Sequence, residues 1–167
     1  MRFEAIRNED ISPRVSEIAA LCRRREWTVG FAESCTGGLM SAMLASQPGA
    51  SDFFKGSVVS YARSVKAGLL EIPASLLAVH GEVSQPVAVA MARGAKRILE
   101  VDWAVAITGI AGPSGGTPDK PVGLVHFSIT GPGVELSEPR LFESPSRQDI
   151  QRQAALFAFD LLLSAMR

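Results

Sequence analysis

Trp27-Thr28-Val29-Gly30-Phe31-Ala32-Glu33-Ser34-Cys35-Thr36-Gly37-Gly38-Leu39-Met40-Ser41-Ala42-Met43-Leu44-Ala45 spells a strand, a turn and a helix in succession. Its first six residues are apolar and β-prone, and Leu39 to Ala45 puts apolar side chains on one helical face. Hydroxyls, a thiol and two glycines fill the junction. Successive backbone N–H groups at such a helix start can face a ligand, and their partial positive charge suits an anion or a developing oxyanion. Gly37 and Gly38 lack the Cβ that would hold a substrate away from the backbone. A Ser or Thr N-cap followed by a glycine turn would leave the same residues for local reasons alone.

The chain on either side extends this strand-to-helix alternation. Residues 1–11 form a polar lead-in, and Ser12-Pro13 marks a helix start, with Ser12 as cap and Pro13 at the first helical position. Val15, Ile18, Ala19 and Cys22 recur at helical spacing, which places Cys22 on the core face. Gly56 to Tyr61 is β-prone and leads into a short helix near 64–70 that Pro73 ends or interrupts. A second short helix runs to Val79 and closes at Gly81. Ser84 starts a longer one, with Val87, Met91, Gly94 or Ala95, and Ile98 along one face.

Trp103 to Ile107 is almost continuously apolar, as in a strand buried on both faces. The glycine-proline stretch Thr108 to Pro121 follows, and a loop that long within a compact domain is usually functional. Gly123 to Ile129 alternates as a strand, and Gly131-Pro132-Gly133 turns it into another within 134–143, where Pro139 marks an edge or an irregularity. Ser146 begins a helix to the carboxy terminus, with Asp149 three residues on as its capping-box partner. The order predicts one α/β domain over residues 12–167, three-layered α/β/α, around a mixed, largely parallel sheet.

Composition narrows the function. The chain has 167 residues, 47% hydrophobic and 20% charged, which suffices for a core without disulfides. Seventeen Lys and Arg balance seventeen Asp and Glu, so no global field draws it to nucleic acid or to an acidic membrane. Arg23-Arg24-Arg25 reads as a solvated helix face. Two cysteines without paired spacing exclude a disulfide scaffold and a zinc ribbon. His80 and His126 stand apart from any cysteine or carboxylate cluster, so no metal site is expected and each reads as a satisfied structural histidine. The first residues lack a signal-peptide core, and no run is long enough to span a bilayer, which predicts a cytoplasmic protein.

In open α/β sheets ligands bind beyond the carboxyl ends of the strands. Three such ends carry reactive residues: Glu33 to Thr36, then Tyr61 with Lys66 a turn later, then Thr108 with the glycine loop. A serine nucleophile needs a base, and no histidine lies in these segments. Lys66 can serve if its pKa is lowered by burial and a nearby cation such as Arg63 or Arg147, whereas contact with Glu33 would raise it. The residues equally allow a charged Lys66 that holds a phosphate or carboxylate. Arg147 can reach an anion or face solvent. Cys35 is a rival nucleophile or a small packing residue beside Ser34. No Gly-Lys-Ser or Gly-x-Gly-x-x-Gly signature appears, which argues against nucleoside triphosphates and NAD-type cofactors.

Five segments in register are similar to one family. Ala32 to Gly38, Gly56 to Tyr61 with Lys66, Gly81-Glu82-Val83-Ser84, Thr108 to Pro113 and Gly116 to Gly123 resemble the CinA carboxy-terminal domain family, over roughly residues 12–165. Its characterised activity is nicotinamide-nucleotide amidase, with homologues often described only as competence- or damage-inducible. The resemblance implies hydrolysis of the carboxamide of nicotinamide mononucleotide to nicotinate mononucleotide and ammonia, without a cofactor. It implies Ser34 as nucleophile, Lys66 as its base, Tyr61 in the same site, and Thr108, at the head of the second loop, and Arg147 at substrate. Gly37, Gly38 and Gly109 join the substrate-binding set, and a homodimer is expected.

Two segments depart from the pattern. Ala62-Arg63-Ser64-Val65 fills a gap in which the family often has Asn-Glu, and Pro145-Ser146-Arg147 replaces Gly-Asp-Arg. The alternative function is a non-catalytic nucleotide- or partner-binding module of a competence or DNA-damage response. Longer relatives carry an amino-terminal nucleotide-pyrophosphatase domain, and that activity is not expected of these residues.

Overall fold

The computed structural model describes residues 8–144 and 146–167. Five strands, β1 (Val29–Glu33), β2 (Phe54–Val59), β3 (Trp103–Gly109), β4 (Leu124–Gly131) and β5 (Val134–Leu141), form one mixed sheet in the order β2-β1-β3-β4-β5. Three strands are parallel. Glu33 lies opposite Val59 on β2 and Ile107 on β3, so their carboxyl ends finish side by side. β4 runs antiparallel to β3, and β5 to β4.

The helices are α1 (Asn8–Arg25), α2 (Leu39–Ala45), α3 (Arg63–Gly68), α4 (Ala74–His80), α5 (Gln85–Leu99) and α6 (Arg147–Met166). Side-chain alternation along the central strands separates two cores. Phe31, Val105, Ile107 and Phe127 face one side, where they meet Ile18, Cys22, Met40 and Phe159 of α1, α2 and α6. Ala32, Ala104 and Ala106 face the other and meet Val87, Met91 and Ala95 of α5 and Leu77 of α4. Large residues on one face and alanines on the other let α5 settle close to the sheet. The result is the three-layer α/β/α architecture.

The boundaries differ from the sequence reading in four places. The lead-in expected over residues 1–11 lies partly outside the described residues, and the chain is already helical at Asn8, with Pro13 inside α1. Thr108 and Gly109, expected in a loop, belong to β3, because β4 pairs with them through His126 and Val125. Ile98 is 42% exposed, since the face of α5 on the sheet is filled by Val87, Met91, Gly94 and Ala95. Ser146 Oγ caps α6 by accepting from the Asp149 N–H at 3.4 Å, while Asp149 accepts from Gln153 and so completes no reciprocal box.

The arginine run is also more engaged than a solvated face. Arg23 donates to Asp52 and to the carbonyls of Pro48 and Gly49, and stacks over Phe53. His126 departs from the satisfied histidine expected, since its buried Nδ1 has no partner among the described residues. Burial, and then the charge of Lys120, hold its pKa below the usual histidine value. Among the described residues no helix is long and apolar enough to cross a membrane.

Candidate active site

The turn after β1 is organised by a carboxylate. Glu33 is fully buried, and its two oxygens face the start of α2. Oε2 accepts from Thr36 Oγ1 and from the N–H groups of Gly38 and Met40, at 2.7, 3.0 and 3.1 Å. Oε1 accepts from the Ser41 N–H and hydroxyl at 2.8 and 2.5 Å. A buried anion is tolerable only with such a set of donors, and the open N–H groups of a helix start are a natural supply. Gly37 and Gly38 adopt φ of 61° and 98°, the left-handed backbone that lets the chain fold around the carboxylate.

This arrangement corrects two expectations. The N–H groups of the junction are not generally open to a ligand. Those of Gly38, Met40 and Ser41 go to Glu33, that of Gly37 to the Ser34 carbonyl, and that of Ser34 to the Ile107 carbonyl. Nor do Gly37 and Gly38 line the cavity beside Ser34. Their substitution-sensitive geometry serves the turn, because the loop closes inward on Glu33.

Ser34 sits just beyond β1, and Lys66 comes from α3, which follows the adjacent strand β2. Lys66 is only 1% exposed, yet its Nζ is 2.9 Å from Ser34 Oγ. It also donates to the Ser60 carbonyl at 2.6 Å and lies 3.5 Å from the Tyr61 carbonyl. Burial pushes the Lys66 amine below the ordinary lysine value, with the charge of Glu82 acting in the opposite direction. Burial acts as expected, whereas neither Arg63 nor Arg147 contributes, and Glu33, turned toward α2, takes no part. A neutral amine has two N–H groups and one lone pair. When charged, Nζ donates to Ser34 Oγ and to both carbonyls; once the amine is neutral, the two carbonyls match its N–H groups and the lone pair is left for the Ser34 hydroxyl.

Cys35 is buried beside Ser34, and burial pushes its thiol up to about 12. It is therefore a protonated packing residue, since a thiolate is the reactive form. Gln151 of α6 donates to its carbonyl at 2.7 Å, which ties the Ser34 turn to the last helix.

A cavity of about 220 Å³ opens at the carboxyl ends of β1, β2 and β3. Ser34, Tyr61, Lys66, Thr108, Gly109 and Arg147 all line it. Thr108 is fully buried, and its hydroxyl donates to the Glu82 carbonyl at 2.9 Å. Arg147, the first residue of α6, donates to the Gly112 carbonyl and to the Tyr61 hydroxyl, both at 2.7 Å. Lys120 donates to the His80 carbonyl at 2.8 Å and so fastens the glycine-proline loop to the end of α4.

Three contributors escaped the sequence reading. Glu33 was named, but its structural task was not legible. Ser60 is fully buried, donates its N–H to the Glu33 carbonyl at 2.7 Å, and presents its own carbonyl to Lys66. Glu82 lines the cavity, with its charge within reach of Lys66, and was visible only as part of the Gly81 to Ser84 segment.

Among the described residues no group of three or more His, Cys, Asp or Glu is placed to hold a metal ion. The lining instead combines a hydroxyl, an amine of lowered pKa, a phenol, a carboxylate and a guanidinium. Such a set can move a proton and hold a charged ligand.

Comparison with known proteins agrees with this fold. The sequence model of the CinA C-terminal domain matches residues 12–166. A CinA-like protein of Parasynechococcus marenigrum is 47% identical over 88% of this chain and 35% of its own length. One from Anaeromyxobacter sp. is 48% identical over 90% of this chain and 36% of its own. The chain thus spans little more than a third of the length of these curated relatives. The crystal structure of competence/damage inducible protein CihA from Agrobacterium tumefaciens superposes with a TM-score of 0.92 at 31% identity, covering 100% of this chain and 99% of that one. ComA from Klebsiella pneumoniae gives 0.88 at 30% identity, covering 92% and 95%. With the family model spanning nearly every residue and the fold shared throughout, the chain belongs to the CinA C-terminal domain family.

Proposed function

We propose that this domain is an amidohydrolase that cleaves the carboxamide of nicotinamide mononucleotide, giving nicotinate mononucleotide and ammonia. The observation that carries the proposal is the 2.9 Å separation of Lys66 Nζ from Ser34 Oγ, with the lysine sealed from solvent and its pKa lowered by burial. Membership of the family supplies the substrate, and the cavity's mixture of an anion and a cation suits a charged nucleotide.

The chemistry follows from the donor and acceptor set. The neutral amine of Lys66 takes the Ser34 proton as Oγ attacks the carboxamide carbon, and the carbonyl oxygen becomes an oxyanion. Cys35 follows the nucleophile and lines the cavity, and its N–H is assigned to that oxygen. Lys66 then returns its proton to the amide nitrogen, the C–N bond breaks and ammonia leaves. Water attacks the resulting ester with Lys66 as base again, and Oγ recovers its proton as the acid departs. Thr108 and Arg147 act on binding, through the Glu82 loop and the nucleotide's anionic end.

The decisive experiment measures ammonia release from nicotinamide mononucleotide by the wild type, Ser34→Ala and Lys66→Ala. Turnover by the wild type alone supports the proposal. A folded wild-type protein that binds the nucleotide without releasing ammonia would reject it in favour of a non-catalytic binding module.

A further inference from the structure

The cavity carries two opposite charges that enter from different layers. Glu82 stands in the segment between α4 and α5, on one face of the sheet, and Arg147 opens α6 on the other. Arg147 is held by Gly112 and Tyr61. Glu82 is anchored only through its backbone, whose carbonyl accepts from Thr108. Its carboxylate has no hydrogen bond or ion pair among the described residues, although its charge reaches Lys66. An anion on a cavity wall without a partner favours a ligand that brings positive charge.

We propose that Glu82 is a specificity-determining residue that reads the positive charge of an N-ribosylated pyridinium ring and turns the ligand's anionic end toward Arg147. The inference rests on the amidase reading and deepens it. N-ribosylation makes the ring nitrogen quaternary, so the nicotinamide nucleotide is cationic at the ring and anionic at the phosphate. Its dihydro form keeps nearly the same size and the same carboxamide but loses the ring charge. The cavity has one charge for each end, arranged across the carboxyl edge of the sheet. Turned the other way, the same ligand would set its phosphate beside the carboxylate.

The test compares oxidised and dihydro nicotinamide mononucleotide. Ammonia release gives kcat/KM for both on the wild type and Glu82→Gln, and calorimetry gives Kd for both on Ser34→Ala and on Ser34→Ala with Glu82→Gln. The wild type should prefer the oxidised ligand by at least about tenfold, the size of one partly desolvated charge pair. Glu82→Gln should bring the ratio close to one in both measurements. The preference for the nucleotide over its phosphate-free riboside should stay unchanged. Any effect of Glu82 on the basicity of Lys66 is common to both ligands and cancels in the ratio.

An oxidised-to-dihydro ratio that ignores Glu82→Gln, or a wild type without the preference, overturns the inference even if ammonia is released. A Kd ratio that depends on Glu82 in a protein that releases no ammonia upholds it and rejects the amidase reading instead. Failure of both ligands to bind overturns both.

Discussion

Lys66 Nζ stands 2.9 Å from Ser34 Oγ, although the two residues are 32 positions apart and belong to the ends of different strand-to-helix connections. The sheet order unites them. β2 lies next to β1 in parallel, so the chain leaving each strand arrives at the same edge. Ser34→Ala and Lys66→Ala should each lower kcat/KM for ammonia release by about 10²–10⁴, the range of a positioned proton-transfer group. The double variant should be little worse than either single one, because both act in one step. Additive losses would show that the two residues work separately.

The lowered pKa of Lys66 has a signature in stability. A lysine that loses its proton more readily when folded leaves the unfolded chain binding more protons between its folded value and roughly 10.4. Stability of the wild type relative to Lys66→Met should therefore climb with pH across that window and level off above it. Denaturant titrations of the two proteins at several pH values measure this, and a difference independent of pH would contradict it. In activity, the alkaline rise of kcat/KM should move to lower pH in Glu82→Gln, since the carboxylate acts to raise the amine.

Glu33→Gln should be costly despite its equal size. Both carboxylate oxygens face donors, so an amide NH₂ must oppose at least one of them. Breaking a buried charge network from one side costs about 3–5 kcal/mol. Urea unfolding should report a loss of that order. A loss below roughly 1 kcal/mol, the value of an ordinary hydrogen bond, would remove the carboxylate from its organising role.

At Gly94, helix propensity and packing predict opposite signs. In the interior of α5 alanine is favoured over glycine by about 1 kcal/mol. A Cβ there would stand 2.5 Å from the Leu70 carbonyl oxygen, on the segment that follows α3 and its lysine. Backbone cannot yield as a flexible side chain does, so Gly94→Ala should destabilise, with kcat falling as Lys66 is displaced. A more stable Gly94→Ala would mean that the helix and segment part without penalty.

Tyr61 is 57% exposed and meets Arg147 through its hydroxyl. Tyr61→Phe should therefore act mainly through KM, by less than about tenfold, as a single hydrogen bond at a wet site is lost. Arg147→Ala removes the charge as well and should raise KM further. A fall in kcat without change in KM would instead give the phenol a part in the chemical step.

The layers and most elements were legible because apolar periodicity reports burial directly. The burial of β1, the burial of β3 as far as Thr108, and the edge position of Pro139 follow from it. The limits of elements depend on partners distant in sequence. Thr108 and Gly109 became strand only because β4 lies beside them, and spacing alone cannot foresee that pairing. The same holds for the site. The side chains of Ser34, Tyr61, Lys66 and Thr108 mark strand ends, but the depth at which Lys66 lies is a tertiary fact. Ser60 acts through its carbonyl, which every residue possesses, so its identity gave no hint.

The carboxylate buried at the head of α2 fixes when the Ser34 turn acquires its order. Its donors are satisfied as the chain folds, before any nucleotide arrives, so docking need not freeze a wandering loop around Ser34. For the proposed substrate, recognition energy from the phosphate and ring would then remain available for the reacting carbonyl, the form of readiness that speeds a bond-breaking step rather than tightening the resting complex.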